Sequence, residues 1–357
     1  MFALGVPEGT RLHLCVYHAR FPLLQRSAIE HQLDAVFNRR DPQAVFSHAT
    51  IRSVLDGPGP ADHLFVVLAS PVCEVGRDWD ASWAVAEPSS MRSLIQLAGR
   101  VQRHRGAEPQ SPNVLVFDTN LKNFRQTGVP GKERKAIFIR PGFEADVPLH
   151  DPRCRFRLEA NRLGALLRPH EYEVLTAVPR IQPQPPELSQ MRRRLVDLEQ
   201  ARMVDALQPK TDRALDVSGL NAATGWQFPA AALNGVLQRC QPFRAQTERT
   251  QTLVFLPDDE TDPERLVLHR VEEGLQYQRG RNPYVCVADS LLHPVDLVLA
   301  PGMSYWGPQD LLDLLQEQAE AQDMGLRRCA EKFTPVEVRD HDQGWAYHPW
   351  LGFQPLA

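Results

Sequence analysis

The sequence predicts an α/β fold: a lobe built on a parallel sheet, then a connector, then a smaller C-terminal α+β domain. Three observations predict it. Short apolar runs at 12–17, 64–68, 83–86 and 114–117 have strand length and recur through the first third of the chain. Segments of helical period lie between them, as crossover helices joining parallel strands do. From Pro141 onward the composition shifts toward proline and polar residues, so the lobe ends near there.

Each element has its own reason. Leu12 to Tyr17 reads as the first strand. Leu23 to Phe37 reads as a helix, because Ile29, Leu33, Val36 and Phe37 recur at helical spacing and give it one apolar face for the sheet. The unbroken run Leu64 to Leu68 predicts a central strand buried on both faces. Trp83 to Ala86 and Val114 to Phe117 repeat the strand pattern. Between those two, a helix is predicted over Ser90 to Arg103. Leu94, Ala98 and Val101 form its packed stripe, and Gln96, Arg100 and Arg103 a second stripe about 200° away.

Pro179, Pro183, Pro185 and Pro186 argue against regular structure and predict a semi-rigid connector. A helix rich in arginine (Arg192, Arg193, Arg194, Arg202) is predicted over Glu187 to Leu207. The last part carries a strand at Thr252 to Leu256, an apolar run at Val295 to Leu299, a helix from Gln309 to about Asp323, and an aromatic tail. The expected domains are therefore 1–140 for the sheet lobe, 141–249 for the connector and helical linker, and 250–357 for the C-terminal domain.

With 357 residues, 43% hydrophobic and 24% charged, the chain is long enough for two or three cores. A net charge of -4 excludes a uniformly basic surface, so any nucleic acid must be held by local patches. Six cysteines stand singly, without zinc or disulfide-framework spacing, which reads as free thiols in a reducing compartment. No run approaches the ~20 apolar residues of a membrane span. No membrane contact and a cytoplasmic location are expected.

Two segments carry chemistry. Gln96-Leu97-Ala98-Gly99-Arg100-Val101-Gln102-Arg103 spells Q-x-x-G-R-x-x-R. Two guanidinium groups three residues apart on one helical face suit charge developing on a transferred phosphoryl group, and Gly99 leaves room for another backbone to approach. A solvated helix face is the bland alternative. Upstream, Ser70 to Asp80 follows a strand directly, and the loop beyond a strand's carboxyl end is where α/β sheets bind ligands. Turn chemistry is the bland reading of Asp78 and Asp80. The two segments together, in this order and separated by a strand, weaken both bland readings.

The first segment matches the sixth motif of superfamily-two helicases, and the second resembles the fifth, T-x-x-x-x-x-G-x-D. Ser70-Pro71-Val72-Cys73-Glu74-Val75-Gly76-Arg77-Asp78-Trp79-Asp80, followed by Glu87 to Gln96, resembles the CRISPR-associated helicase-nuclease family of type I interference, most nearly the subtype I-F form. Tyr17-His18-Ala19-Arg20-Phe21 with Arg26 and Glu30 is similar to that family's fourth-motif region, with Ala19 where a serine is common. The tail Gly344 to Phe353 looks like the end of its C-terminal domain.

The resemblance implies a RecA-like second motor lobe and a set of roles. Arg100 and Arg103 would be the catalytic arginines. Gln96, Gly76 and Asp78 would lie against the nucleotide. Ser70, His18, Arg20 and Arg26 would meet nucleic acid. It implies ATP and magnesium, held mainly by another lobe, and a divalent metal for a nuclease site that this sequence does not carry. Its implied partners are single-stranded DNA, the N-terminal nuclease and first motor lobe of the same protein, and an RNA-guided surveillance complex. A Cas-one-type protein and an anti-CRISPR inhibitor stay open as further partners.

A motor also needs G-x-x-x-x-G-K-[ST] and an acidic magnesium motif, and neither is present. Gly131-Lys132 lacks the upstream glycine, and His150-Asp151 and His341-Asp342 lack companion ligands. The chain is therefore expected to be part of a longer helicase-nuclease and inactive alone. Local positive charge at Arg92, Arg100, Arg103, His104, Arg105, Lys122, Arg125, Lys132, Arg134, Lys135 and Arg140 could serve the cleft or track phosphates. The aromatics Tyr305, Trp306, Trp345, Tyr347, Trp350 and Phe353 read first as core and second as base-stacking platforms. Two other functions stay open: a lobe of a general superfamily-two helicase, and a partner-docking module with vestigial motor motifs.

Overall fold

The structure is a computed structural model that describes residues 6–57, 62–74, 76–106, 108–126, 156, 158–182, 184, 185, 187–207, 249–259, 263–272, 274, 280–308, 310–354 and 356. Its principal elements run β1 (Thr10–Tyr17), α1 (Leu23–Val36), β2 (Asp62–Ala69), β3 (Ala84–Ala86), α2 (Met91–Ala98), β4 (Val114–Val116) and α3 (Leu195–Leu207). They continue with β5 (Thr250–Pro257), β6 (Leu266–Val271), β7 (Tyr284–Cys286), β8 (Leu292–Pro294) and β9 (Met303–Tyr305). Last come α4 (Leu311–Ala321), α5 (Leu326–Phe333), β10 (Val336–Arg339), β11 (Trp345–His348) and β12 (Gly352–Gln354). Contacts divide the chain into two compact units, residues 1–80 with 246–357, and residues 81–245.

In the first unit, β1 pairs in parallel with β2 on one side and β9 on the other. The strand that the sequence placed at the centre, 64–68, is thus at the edge of this sheet among the described residues and is only partly buried. The centre belongs to β1, whose last six residues are all buried. The reason is β9. It returns from late in the chain to cover the second side of β1, and its three residues give no strand signal of their own. Alternation along β1 sends Leu12 and Leu14 into one core with Met303, and Cys15 and Tyr17 into another.

That second core is closed by α1, which begins after Pro22 and buries Ile29, Leu33 and Val36 as their spacing predicted. The rest of this unit is antiparallel and mixed, in the order β10-β5-β6-β7 and β12-β11-β8. β5 is buried on both faces. Val254 and Leu256 meet Leu315, Ala319, Cys329 and Ala330 of α4 and α5, while Leu253 and Phe255 meet Val336, Val338, Trp345 and Phe353. Asp310 caps α4 by accepting from Leu312 N–H at 2.9 Å, which explains a start later than Gln309. The apolar run Val295 to Leu299 is not a strand; β8 ends at Pro294 and Val298 is 82% exposed.

In the second unit, β3 and β4 pair in parallel, a two-stranded sheet among the described residues. α2 buries Met91 and Leu94 against Leu158, Leu163, Leu166, Leu195, Val196 and Leu198. The prolines near 180 do not exclude helix: Pro179 sits in the first turn of a short helix, Val178–Ile181, where no N–H is missed. The predicted helix from Glu187 begins only at Leu195, so Arg192, Arg193 and Arg194 precede it. Gly131-Lys132, His150-Asp151, Lys132, Arg134, Lys135 and Arg140 lie outside the described residues.

Candidate nucleotide and nucleic-acid site

The fourth- and fifth-motif residues lie where β1 and β2 end. Ser70 continues the ladder, its N–H donating to the Tyr17 carbonyl at 3.1 Å. Pro71 then turns the chain into a short 3₁₀ segment, Pro71–Cys73, which the Ser70 hydroxyl does not cap. Gly76 has φ +73° with nothing among the described residues within 4 Å of the position a Cβ would take. Backbone conformation, not space, requires glycine there.

From Gly76 the loop runs along α1 with alternating sides. Arg77 points to α1, pairing with Glu30 at 2.5 Å and with Asp34 at 3.0 Å. Trp79 is buried and donates its indole N–H to Asp34 at 2.6 Å. Asp78, between them, is half exposed and pairs with exposed Arg40 at 2.6 Å. Tyr17 donates to Glu30 at 2.7 Å; burial and then that carboxylate push its phenol up to about 12, so it stays a donor at neutral pH.

His18, Arg20 and Arg26 begin the same end of the unit. Both ring nitrogens of His18 are engaged by the chain itself. Nδ1 accepts from Arg20 N–H at 3.0 Å, so the proton sits on Nε2, which donates to the Leu351 carbonyl at 2.8 Å. Burial lowers its value to about 4, leaving a neutral ring. Arg20 is exposed, and Arg26 lies 3.7 Å from Glu30. The tail lies over this loop: Phe353 N–H donates to the Arg20 carbonyl, Gln25 donates to the Pro349 carbonyl, and a Cβ on Gly352 would come within 2.7 Å of Arg20 O. Of the aromatic tail, Trp345 and Phe353 are core, as is Trp306, while Trp350 stacks on Tyr305 at 4.7 Å.

The sixth-motif residues belong to the second unit. The predicted helix through Arg103 is shorter than expected, because α2 ends at Ala98. Arg100 and Val101 make turn hydrogen bonds to Leu97 and Ala98, Val101 forms a bridge to Ala81, and Gln102 takes φ +50°. Arg100 and Arg103 therefore do not share a helical face, which corrects the spacing argument; they project from the turn beyond the helix. Exposed Arg103 donates to the Gly99 carbonyl at 3.2 Å, near the negative end of α2. A Cβ on Gly99 would meet only carbonyls of its own helix, at 3.5 Å, so no other described backbone uses the room it leaves. Gln96 remains on α2, and its buried side-chain oxygen takes no hydrogen bond among the described residues.

The start of α2 is fixed twice. Ser90 accepts from Ser93 N–H at 3.1 Å, and Glu199 of α3 accepts from Met91 N–H at 2.5 Å. Glu199 and Asp34 lie outside the motifs, and Arg77 and Trp79 lie within the fifth without a role of their own there. Asp34 and Glu30 carried a signal, a carboxylate pair four apart on a helix beside the apolar stripe. Glu199 carried none.

The family model described as "CRISPR-associated nuclease/helicase Cas3, C-terminal" matches residues 5–106, and "CRISPR-associated Cas3 subtype I-F/YPEST-like, C-terminal domain" matches residues 255–355. The "CRISPR-associated nuclease/helicase Cas3 subtype I-F/YPEST" of Pseudomonas aeruginosa is 41% identical over 356 residues, 99% of this chain and 30% of that protein. The protein of the same description from Pectobacterium atrosepticum is 33% identical over 355 residues, again 99% and 30%. The chain thus spans 30% of the length of these curated relatives. Among solved structures, T. fusca Cas3 with ATP matches 29% of this chain and 11% of its own at 25% identity, with a TM-score of 0.22. No described helix is long and apolar enough to cross a membrane.

Proposed function

Because the chain belongs to the CRISPR-associated Cas3 nuclease/helicase family, as a C-terminal portion of the subtype I-F/YPEST form, we propose that it completes an ATP-dependent motor acting on single-stranded DNA. The observation that carries this reading is the family match over 5–106, which contains every candidate residue from His18 to Arg103. On this reading, residues 1–140 are the second RecA-like lobe, 141–249 the connector and 250–357 the C-terminal domain.

In the working protein, ATP and magnesium supply the phosphoryl group to be transferred and the charge that neutralises it, held mainly by the first lobe. This chain's residues fit the remainder. Gln96 offers an unsatisfied amide oxygen, Gly76 and Asp78 present a loop held from behind, and Arg100 and Arg103 bring positive charge to the transition state. Ser70, exposed Arg20 and Arg26 would lie along the DNA backbone, and neutral His18 would shape the loop carrying Arg20. The partners are single-stranded DNA, the nuclease and first lobe of the same protein, and an RNA-guided surveillance complex, in the cytoplasm.

The test is single-stranded-DNA-stimulated ATP hydrolysis by the full-length protein. Arg100→Ala and Arg103→Ala should each lower turnover by about a thousandfold, the scale of an arginine finger. Turnover unchanged in both variants, with normal partner binding, would make this portion a docking module instead.

A further inference from the structure

The fifth-motif loop is stitched to one stripe of α1. Glu30, Asp34 and Phe37 follow at intervals of four and three residues, so they lie along a single line of the helix surface beside the buried line Ile29, Leu33, Val36. Successive loop residues take them in order. Arg77 spans Glu30 and Asp34, Trp79 takes the other oxygen of Asp34, and Asp80 N–H donates to the Phe37 carbonyl at 3.0 Å. Glu30 is held from the far side by Tyr17 at the end of β1. Trp79 packs at 5.7 Å from Tyr17 and 5.5 Å from Phe37, filling the space behind the loop.

This geometry leaves Gly76 at one end of the stitched stretch and turns Asp78 away from the helix. It also gives Arg77 a different role from its neighbours. An arginine within a nucleic-acid motif would be read as a phosphate contact, yet its side chain is only 21% exposed and its guanidinium spans two carboxylates. Bidentate guanidinium–carboxylate contacts fix orientation as well as distance.

We propose that Glu30 and Asp34, acting through Arg77 and Trp79, are positioning residues for the fifth-motif loop, so that α1 and this loop move as one body during the motor cycle. The proposal rests on the motor reading given above and deepens it. α1 starts directly after the loop carrying His18 and Arg20, so the stitch joins the strand-end loop of β1 to that of β2. Movement of DNA at the first would be carried to Asp78 through α1, with no contact between DNA and Arg77.

The test uses the full-length protein with Arg77→Gln, Arg77→Lys, Asp34→Asn and the exchanged pair Glu30→Arg with Arg77→Glu, and Arg103→Ala as control. Arg77→Gln and Asp34→Asn should lower the kcat of DNA-stimulated ATP hydrolysis by on the order of ten- to a hundredfold, the cost of small misplacement of a site. The KM for ATP and the unstimulated rate should stay within about twofold. The exchanged pair should recover little, because it sets a carboxylate against Asp34 and a guanidinium beside Arg26, and Arg77→Lys should fall between Arg77→Gln and the unchanged protein. Three results would overturn the proposal: stimulated turnover at full rate in Arg77→Gln; equal loss in stimulated and unstimulated rates, tracking a lowered thermal midpoint; or weaker DNA binding with one ion fewer in the salt dependence, which would make Arg77 a phosphate contact. Arg103→Ala separates the two readings. If it leaves ATP hydrolysis intact, the motor reading fails; if it abolishes hydrolysis while Arg77→Gln does nothing, the stitch alone fails.

Discussion

His13 shows how a single polar residue can sit at the middle of the sheet. It is 3% exposed on β1, with Nδ1 2.6 Å from the Ser304 hydroxyl of β9 and Nε2 3.0 Å from Nδ1 of His63 on β2. Its ring also packs at 4.6 Å from Phe65. Burial, His63 and Arg11 lower it to about 4, so it is neutral at pH 7. The unfolded chain takes up this proton near the ordinary value of about 6.5, and the folded chain only near 4. Between those values the unfolded state binds more protons, so stability is complete above about pH 6.5 and falls as pH drops toward 4. His18, lowered in the same way, adds to the slope. Denaturant midpoints from pH 7 down to 4.5 should show this decline, and His13→Asn should flatten it in part; an unchanged slope in the variant would mean that His13 is protonated while folded.

At this scale the site was partly legible. The arginines of the sixth motif spell themselves out, whereas the positive φ that Gly76 adopts had no signal beyond the glycine itself. Illegible were the groups that hold them. A buried histidine at the centre of an apolar strand looks like an interruption until Ser304 and His63, 291 and 50 residues away, are known to face it.

Among elements, α2 depends on a residue from another helix. Glu199 is 4% exposed, its carboxyl pushed up by burial but drawn on by the N–H groups of Met91 and Arg92 and by Arg180 at 3.1 Å. Helix N-termini leave such donors without intrahelical partners, and a buried carboxylate there is a strong cap. Glu199→Ala should destabilise the chain by about 1–3 kcal/mol in urea titration, because buried donors and Arg180 lose their acceptor. A change within about 0.5 kcal/mol, typical of an ordinary surface position, would show that Ser90 suffices. The same element shows where periodicity misleads. The apolar stripe ran on to Val101, but Val101 is buried by bridging Ala81 rather than by continuing the helix. Burial explains both patterns, and sequence alone does not separate them.

At the scale of the whole molecule, local periodicity gave α1, β1, β2, β5 and α4 within a few residues. What it did not give was pairing across long separations. β9 completes the first sheet from nearly three hundred residues away in sequence, and the tail that resembles a family C-terminus closes over the loop at His18 to Phe21. Such contacts are set by which apolar faces remain uncovered once local elements form, and that is a property of the whole chain. On the function proposed above, this chain carries half of an ATP site. The most direct measurement is ATP turnover with single-stranded DNA by the chain alone, by the preceding portion of the protein alone, and by the two together. Neither part should turn over ATP alone, and the pair should show DNA-stimulated turnover that is lost on Arg103→Ala. Turnover by this chain alone that disappears on Arg103→Ala, or an intact pair that hydrolyses ATP equally well with Arg100→Ala and Arg103→Ala, would contradict it.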